Sequence, residues 1–182
     1  MRTRDDDSFR RFAADHAAML RRSAFLFCGD WHTAEDLMQQ SLLKIYRSWS
    51  RVQRQETVTR YARTVLLRTW LDEKRRPFRR SEFGGAELPE VADPAADPAA
   101  SAGRVWARDL VHRALLELPP RQRAVLVLRY FDDLAVSDTA RIMGCSEGTV
   151  KSQAARGLDT LRVVVARLGA EESGSAAGRV AS

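Results

Sequence analysis

The sequence predicts an all-α protein in which two small helical domains are joined by a flexible linker. Apolar residues recur at helical spacing before residue 77 and again after residue 103. The segment between them, 77–103, is rich in Pro, Gly, Ala and Asp and has no periodicity, which is typical of a linker. A helix-turn-helix pattern lies in the second domain. We therefore predict domains at 8–76 and 104–168 and a disordered tail at 169–182.

The composition limits the class of protein. The chain has 182 residues and a formal net charge of +6, and nearly all its cations are arginine, which suits recognition of phosphates and base edges. A membrane surface or an acidic protein partner would also fit this charge. The two cysteines, Cys28 and Cys145, lie far apart and outside any metal-binding spacing, so the sequence predicts no metal and no cofactor. Because no signal peptide or membrane-spanning run is recognisable, we expect a soluble protein in the cytoplasm.

The first two predicted helices begin the N-terminal domain. The first runs from Phe9 to Cys28 and ends at Gly29-Asp30. The second opens at Thr33, because a threonine followed by acids is typical of a capping box. Its inward stripe is Met38, Leu42, Ile45 and Trp49. A separate mixed face suits contact with a protein, although a solvated face with one stray leucine is an equal alternative. This face consists of Asp36, Gln39, Gln40, Leu43 and Arg47.

A third predicted helix, 58–76, is basic on its outer surface. Its inward residues are Val58, Tyr61, Ala62, Val65, Leu66 and Thr69. Its cations are Arg60, Arg63, Arg68, Lys74, Arg75 and Arg76, with aromatic rings interleaved at Tyr61, Trp70 and, beyond the helix, Phe78. Cations that hold phosphates, beside rings that stack on unpaired bases, are typical of single-strand binding. The alternative is a basic solvated helix whose aromatic side chains, Trp70 among them, lie in the core.

The second domain is predicted to contain four helices. An amphipathic helix from Arg104 stops at Pro119-Pro120, and Pro120 is suited to open the next helix, which runs to Phe131. Two further helices within 132–161 are separated by Gly144, which tolerates a left-handed backbone, and Ser146 is placed to cap the second. A helix-turn-helix presents its second helix to the DNA major groove, whereas an ordinary helical hairpin is the alternative. The outer residues of that second helix are Thr149, Lys151, Ser152, Gln153 and Arg156.

The sequence contains no recognisable catalytic constellation. It has no glycine-rich phosphate loop, no nucleophile elbow and no HExxH pattern, and its histidines (His16, His32 and His112) lie in different segments. We therefore predict no catalytic residues, and a binding protein rather than an enzyme.

Three stretches together resemble one protein family, the extracytoplasmic-function class of bacterial sigma-70 sigma factors. The region 2 segment that binds the clamp helices of the polymerase β′ subunit is similar to 29–49, GDWHTAEDLMQQSLLKIYRSW. The segment that binds the promoter −10 element resembles 61–76, YARTVLLRTWLDEKRR. Region 4 resembles 115–162, which includes LPPRQR and GCSEGTVKSQAARG. The wording GTVKSQAARGL resembles actinobacterial members of the class.

The resemblance implies a sigma factor that binds core RNA polymerase and directs transcription initiation at particular promoters. Its region 2 would contact core polymerase through Asp36, Leu37, Gln39, Gln40, Leu43 and Arg47. It would hold the single-stranded −10 element through Arg63, Arg68, Trp70, Lys74, Arg75 and Arg76. Region 4 would bind the β flap and read the duplex −35 element through Thr149, Lys151, Ser152, Gln153 and Arg156. An anti-sigma protein is a further candidate partner, and no membrane is implied.

Two positions depart from the family pattern. Gln40 stands where the clamp-binding helix usually has an acid. A hydrogen bond of the side-chain amide would therefore replace a charge-assisted hydrogen bond. Arg68 stands where the −10 helix often has an asparagine in the pocket for a flipped base, which leaves the selected base open. The rival functions are a stand-alone helix-turn-helix regulator that binds duplex DNA as a dimer, and a module that only titrates a partner protein.

Overall fold

The computed structural model describes residues 2–53, 58–75 and 98–180, with side chains described at 5–53, 58–75 and 103–173. Every secondary-structure element in these ranges is helical, as the sequence predicts. The N-terminal helices are α1 (Arg2–Cys28), α2 (Trp31–Arg47), α3 (Trp49–Val52) and α4 (Val58–Arg75). The C-terminal helices are α5 (Pro98–Glu117), α6 (Pro120–Leu126) with a π-helical turn at Val127–Phe131, α7 (Val136–Met143) and α8 (Glu147–Val180). Positions 77–97 of the predicted linker lie outside the described residues.

Helix α2 begins at Trp31 rather than at the predicted Thr33, because Asp30 caps it. One carboxylate oxygen of Asp30 accepts a hydrogen bond from the backbone N–H of Thr33 at 2.7 Å. The same bond holds the pKa of Asp30 below its ordinary value. Thr33 therefore lies inside the first turn of the helix and is not its cap.

Helices α1, α2 and α4 pack around an apolar core that sets their outward faces. Phe27 of α1, Leu37 and Ile45 of α2, and Leu66 of α4 are all almost completely buried in it. Burial of a large apolar side chain contributes roughly 1.5–3 kcal/mol to stability, so the rotation of each helix about its own axis is fixed. The mixed face of α2 and part of the basic face of α4 consequently point away from this core.

Helices α7 and α8 form the predicted helix-turn-helix. Gly144 ends α7 with a left-handed backbone, φ 64° and ψ 42°. The hydroxyl of Ser146 accepts a hydrogen bond from the backbone N–H of Thr149 at 3.1 Å and so caps α8. Val150 is fully buried in a cluster with Val125 and Ala140. The glycine turn, the serine cap and the inward valine are all confirmed.

Two helices of the C-terminal half are longer than predicted. Helix α5 begins at Pro98 instead of Arg104, and α8 continues to Val180 although the sequence predicts a disordered tail from Gly169. Side-chain contacts with α5 hold the part of α8 that continues past Gly169. Glu172 accepts hydrogen bonds from the indole N–H of Trp106 at 2.6 Å and from the guanidinium of Arg113. Where the sequence predicts a disordered tail, the described chain is helical as far as Val180. Composition alone gives no sign of the Glu172 contacts.

The N-terminal and C-terminal halves of the described chain pack directly against each other. Phe27 and Leu66 belong to the same apolar cluster as Leu115 and Leu126 of the C-terminal half. Gly29 marks the closest approach: its φ is +84°, and an added Cβ would lie 2.5 Å from Cδ1 of Leu116. A glycine is required there both by the backbone and by the approach of α5. The sequence predicts two domains joined by a flexible linker, whereas in the structure the largest apolar cluster contains residues of both halves.

Neither a membrane span nor a metal centre can be recognised in the ranges given above. No helix there combines the length and the apolar character needed to cross a membrane. Among the same residues, no group of three or more His, Cys, Asp and Glu side chains is arranged to hold a metal ion. Both cysteines are free, and burial raises the pKa of the Cys28 thiol to about 11, which keeps it protonated.

Candidate polymerase and nucleic-acid interfaces

The first turns of α8 present a polar and basic surface on a firmly packed helix. Lys151, Ser152 and Arg156 are exposed, while Thr149 and Gln153 are half-buried. The hydroxyl of Ser152 donates to the backbone carbonyl of Thr149 at 3.0 Å, and this local bond orients it along the helix. All the residues predicted to read the −35 element therefore lie on the first turns of one helix, as the helical spacing requires.

The opposite side of α8 packs closely against α6 at Gly157, a residue with no role predicted from the sequence. An added Cβ at Gly157 would lie 3.2 Å from Cγ of Leu126 and 3.4 Å from Cβ of Gln122. Such distances are shorter than ordinary van der Waals contact, so Gly157 permits an unusually close approach of the two helices. The polar surface of α8 is thereby fixed in position relative to the rest of the C-terminal half.

The mixed face of α2 is exposed and contains more apolar surface than predicted. Asp36, Gln39, Gln40 and Arg47 are all exposed, and the Leu43 side chain beside them is 51% exposed. Tyr46, which is not among the predicted contact residues, is 44% exposed on the same helix. A shallow groove of about 420 Å³ runs from this face toward the start of α1. It is lined by Asp6, Phe9, Arg10, Leu42, Leu43 and Tyr46.

Leu37 does not belong to this face, so its assignment to the polymerase contact is wrong. Its side chain is 1% exposed and lies in the core of the N-terminal half. The buried residues of α2 include Ala34, Leu37, Ser41 and Ile45, which recur at intervals of three or four and so share one side of the helix. Reading Ser41 as an inward residue would have placed Leu37 correctly.

The basic residues of α4 are divided between open and covered positions. Arg68, Lys74 and Arg75 are exposed, whereas Arg63 is half-buried. Arg76 lies outside the described residues. The prediction that Trp70 is available to stack on a base is wrong, because its side chain is 1% exposed. Its ring stacks on Phe27 at a centroid distance of 4.9 Å and an interplanar angle of 16°.

The covered end of α4 meets acidic side chains from the C-terminal half. Nε of Arg63 lies 3.4 Å from Oδ2 of Asp132, and Nη1 of Arg60 lies 3.5 Å from Oδ1 of Asp138. The Asp132 side chain is 0% exposed and also accepts a hydrogen bond from the hydroxyl of Ser23 at 2.9 Å. Burial raises the pKa of Asp132, while Arg63 and Ser23 act in the opposite direction. Neither acid is among the residues that the sequence predicts to be functional.

Arg123 joins the two halves at the other end of their contact. Its guanidinium donates to the backbone carbonyls of Phe27 at 2.6 Å and Leu118 at 3.2 Å, and to that of Leu116. These carbonyls lie at or just beyond the C-terminal ends of α1 and α5, where a cation is favourable. The guanidinium also lies over the Trp70 ring, 5.7 Å from its centroid. Burial lowers the pKa of Arg123 to about 10, so it stays charged at neutral pH.

Comparisons with known proteins give the same family for both halves of the chain. Family models described as Sigma-70 region 2 and Sigma-70, region 4 match residues 12–80 and 108–161. The RNA polymerase sigma-E factor of Streptomyces coelicolor is 32% identical over 155 residues, which cover 85% of this chain and 84% of that protein. The ECF RNA polymerase sigma factor SigM of Mycobacterium tuberculosis is 33% identical over 151 residues, which cover 83% and 71%. This chain belongs to the extracytoplasmic-function sigma factors of the sigma-70 family.

Solved structures agree with this sigma-factor fold. The sigma factor RpoE from Bartonella quintana, in complex with the anti-sigma factor NepR, superposes with a TM-score of 0.67 at 21% identity, covering 86% of this chain and 96% of that one. CnrH, in complex with the cytosolic domain of CnrY, superposes with a TM-score of 0.61 at 19% identity, covering 87% and 88%. The family resemblance and the all-α class predicted from the sequence are both confirmed.

Membership of the family settles the general activity. A sigma factor binds core RNA polymerase and directs initiation at particular promoters, and this chain has the two regions that do so. A stand-alone helix-turn-helix regulator would account for region 4 and leave region 2 without a role. Sigma factors are regulators of transcription initiation. The sequence shows no recognisable catalytic motif.

Proposed function

We propose that this sigma factor divides promoter recognition between region 2 at 8–76 and region 4 at 104–168, joined by 77–103. Region 4 reads the duplex −35 element through Thr149, Lys151, Ser152, Gln153 and Arg156. Region 2 holds the unpaired −10 strand through Arg63, Arg68, Lys74, Arg75 and Arg76. It binds core polymerase through Asp36, Gln39, Gln40, Leu43 and Arg47, to which we add Tyr46.

The position of α8 is the observation that carries the −35 assignment. Its exposed Lys151, Ser152 and Arg156 lie in the first turns of the second helix of a helix-turn-helix, the part that enters a major groove. Gly157 and Val150 pack the opposite side of the helix, so these side chains cannot turn inward. Arg and Lys suit guanine edges, Gln suits adenine, and either cation also suits a phosphate.

The −10 assignment rests on the exposed cations of α4. Arg68, Lys74 and Arg75 are exposed, which suits contact with the backbone of a single strand. Since Trp70 is buried, stacking on a base falls to the planar guanidinium of Arg68. This is the position at which the sequence departs from the family's usual asparagine.

The polymerase assignment rests on exposed apolar surface within a mixed face. Leu43 and Tyr46 are each more than two-fifths exposed, and charged and amide groups surround them. Interfaces of this composition combine apolar anchors with a polar rim. Gln40 supplies an amide donor and acceptor in place of a carboxylate.

The chain acts as a specificity subunit with no catalysis of its own, the reaction being that of the polymerase. It works in the cytoplasm, where core polymerase is found. An anti-sigma protein is a candidate regulator, since the RpoE and CnrH structures that resemble this chain are complexes with NepR and CnrY.

The experiment that tests the proposal is reconstitution with core polymerase. The purified chain and core should together produce discrete transcripts from a library of genomic fragments, and the mapped starts should share elements near −35 and −10. The substitution Lys151→Ala should lower promoter affinity by roughly 1–3 kcal/mol and relax preference at −35 if Lys151 reads a base. If it contacts only a phosphate, affinity should fall uniformly across promoters. Binding of duplex DNA by the chain alone, without core-dependent transcripts, would reject the proposal in favour of a stand-alone regulator.

A further inference from the structure

A lysine of α2 reaches across to α4 and is held there by a buried hydroxyl. Nζ of Lys44 donates a hydrogen bond to Oγ1 of Thr69 at 2.9 Å. The Thr69 hydroxyl donates its own hydrogen to the backbone carbonyl of Val65 at 2.8 Å, so it acts as an acceptor toward Lys44. Thr69 is 3% exposed, whereas Lys44 is exposed. The bond therefore holds an ammonium group at the surface line where α2 and α4 meet, which we call the α2–α4 seam.

Lys44 lies beside the proposed polymerase face but is turned away from it. It follows the buried Leu37 by seven residues, close to two helical turns, so it leaves α2 on nearly the same side as Leu37. Leu43, its neighbour in the sequence, points outward instead and belongs to the polymerase face. An ammonium has three N–H donors, and Thr69 takes one of them. The other two donors suit an anion that approaches the seam.

The surroundings of the seam are positive. Gln40, one turn before Lys44, is neutral, so it forms no ion pair of the i,i+4 type with the lysine. Arg68 is exposed and precedes Thr69 on α4, so the two Cα atoms are about 3.8 Å apart. Gln40 and Arg68 both depart from the usual family residues, and both departures make the seam more positive. Cations outnumber the acids Asp72 and Glu73 on the seam and the following turns of α4: Lys44, Arg68, Lys74 and Arg75.

This pair of cations matches the two parts of an unpaired nucleotide. The planar guanidinium of Arg68 can stack on a base, while an ammonium is a compact charge that suits a phosphate. The hydrogen bond to Thr69 orders the lysine before the strand arrives, which lowers the entropy cost of binding.

We propose that Lys44 binds the backbone phosphate of the nucleotide whose base stacks on Arg68. The inference rests on the −10 function proposed above for α4, and it adds a residue of α2 to the strand-binding surface. Because every nucleotide carries the same phosphate and every base has a face that can stack, this site holds the strand with little regard to sequence. Helix α2 thus meets polymerase with its mixed face and the promoter strand with the edge next to α4.

Glutamine in place of Lys44 tests the phosphate contact in the full-length chain. Lys44→Gln removes the charge, and Lys44→Arg keeps it. Arg11→Gln is the matched control, because Arg11 is an exposed cation of α1 and lies outside the proposed interfaces. The measurement is the affinity for fluorescein-labelled oligo-dT and oligo-dC, followed by fluorescence anisotropy over a series of salt concentrations. Circular dichroism verifies that each variant keeps its helices.

Lys44→Gln should reduce the slope of log affinity against log salt by about 0.7, the value of one phosphate contact on a single strand. At 0.1 M salt, one decade below a 1 M reference, this corresponds to a loss of about fivefold in affinity. The loss should be equal for oligo-dT and oligo-dC, since neither contact reads a base edge. Lys44→Arg should restore the slope, and Arg11→Gln should match the wild type. Thr69→Val keeps both cations, so it should keep the slope and lose about threefold in affinity, because the lysine is no longer ordered in advance.

Equal salt slopes for Lys44→Gln and Arg11→Gln would overturn the phosphate contact. A wild-type slope together with weaker binding of Lys44→Gln to core polymerase, in a pull-down titration, would place Lys44 in the polymerase contact instead. Core-dependent transcription by the wild type separates this failure from failure of the proposed function. If the wild type initiates with core while Lys44→Gln keeps its slope, only the phosphate contact is wrong. If the slope falls as expected but the wild type never initiates with core, the seam binds single strands and the −10 function is wrong.

Discussion

The close contact of α8 with α6 leads to a prediction about Gly157. Replacing a helical glycine by alanine normally stabilises a helix by about 1 kcal/mol, because the unfolded chain loses conformational freedom. At Gly157 the new methyl group would lie 3.2 Å from Cγ and 3.3 Å from Cδ1 of Leu126. Leu126 is 1% exposed and cannot withdraw easily, so overpacking should cost roughly 1–3 kcal/mol. The second effect is the larger, and Gly157→Ala should lower the free energy of unfolding by about 1 kcal/mol.

Gly169 provides the control on the same helix. An added Cβ there would lie 3.7 Å from Cδ2 of Leu110, which is ordinary contact, so Gly169→Ala should stabilise the chain by up to about 1 kcal/mol. Thermal denaturation followed by circular dichroism should show melting temperatures that move in opposite directions, by roughly 2–4 °C for each kcal/mol. If Gly157→Ala stabilises the chain as much as Gly169→Ala does, the close approach of α8 to α6 does not constrain the helix.

Three other substitutions test separate parts of the structure. Leu43→Asp should weaken binding to core polymerase at least tenfold in a pull-down titration, with native circular dichroism, because it places a charge at the centre of the mixed face; unchanged affinity would move the contact elsewhere. Trp70→Ala should lower the free energy of unfolding by roughly 3–5 kcal/mol, as expected for a buried ring. Reduced promoter opening with an unchanged free energy of unfolding would contradict this burial. Burial lowers the pKa of His112 below its ordinary 6.5, so the folded chain resists protonation and stability should be lost as pH falls below that value. His112→Phe should lack this part of the pH dependence in denaturant titrations at pH 5 and 7.5.

Local chemistry explains why much of the fold could be predicted. The start of α6 at Pro120, the left-handed turn at Gly144 and the cap at Ser146 each depend on one residue and its immediate neighbours. The exposed residues at the start of α8 follow from the helical period, once Val150 is recognised as inward. The error at Leu37 is of the same kind, because the inward stripe of α2 includes the small polar Ser41 that a search for apolar residues passes over.

Contacts between the two halves could not be predicted in this way. Arg63 and Asp132 are separated by 69 positions in the sequence, and Arg123 and Phe27 by 96. No periodicity links residues so far apart, and a single basic helix looks the same whether its cations meet solvent, DNA or another domain. The contacts of α8 beyond Gly169 have a similar cause, since Trp106 and Arg113, the partners of Glu172, lie on α5.

Docking of the halves also changes which side chains of α4 are available to DNA. Trp70 is the ring that the sequence favours for stacking, yet it stacks on Phe27 and lies beneath Arg123, so its burial involves both halves. Arg68 is exposed, so its availability does not depend on whether region 4 is docked. In this arrangement Arg68 offers a planar guanidinium to a single strand, whereas the guanidinium of Arg63 is paired with Asp132. Under the proposed −10 function, Arg68 is therefore better placed than Arg63 to meet the strand.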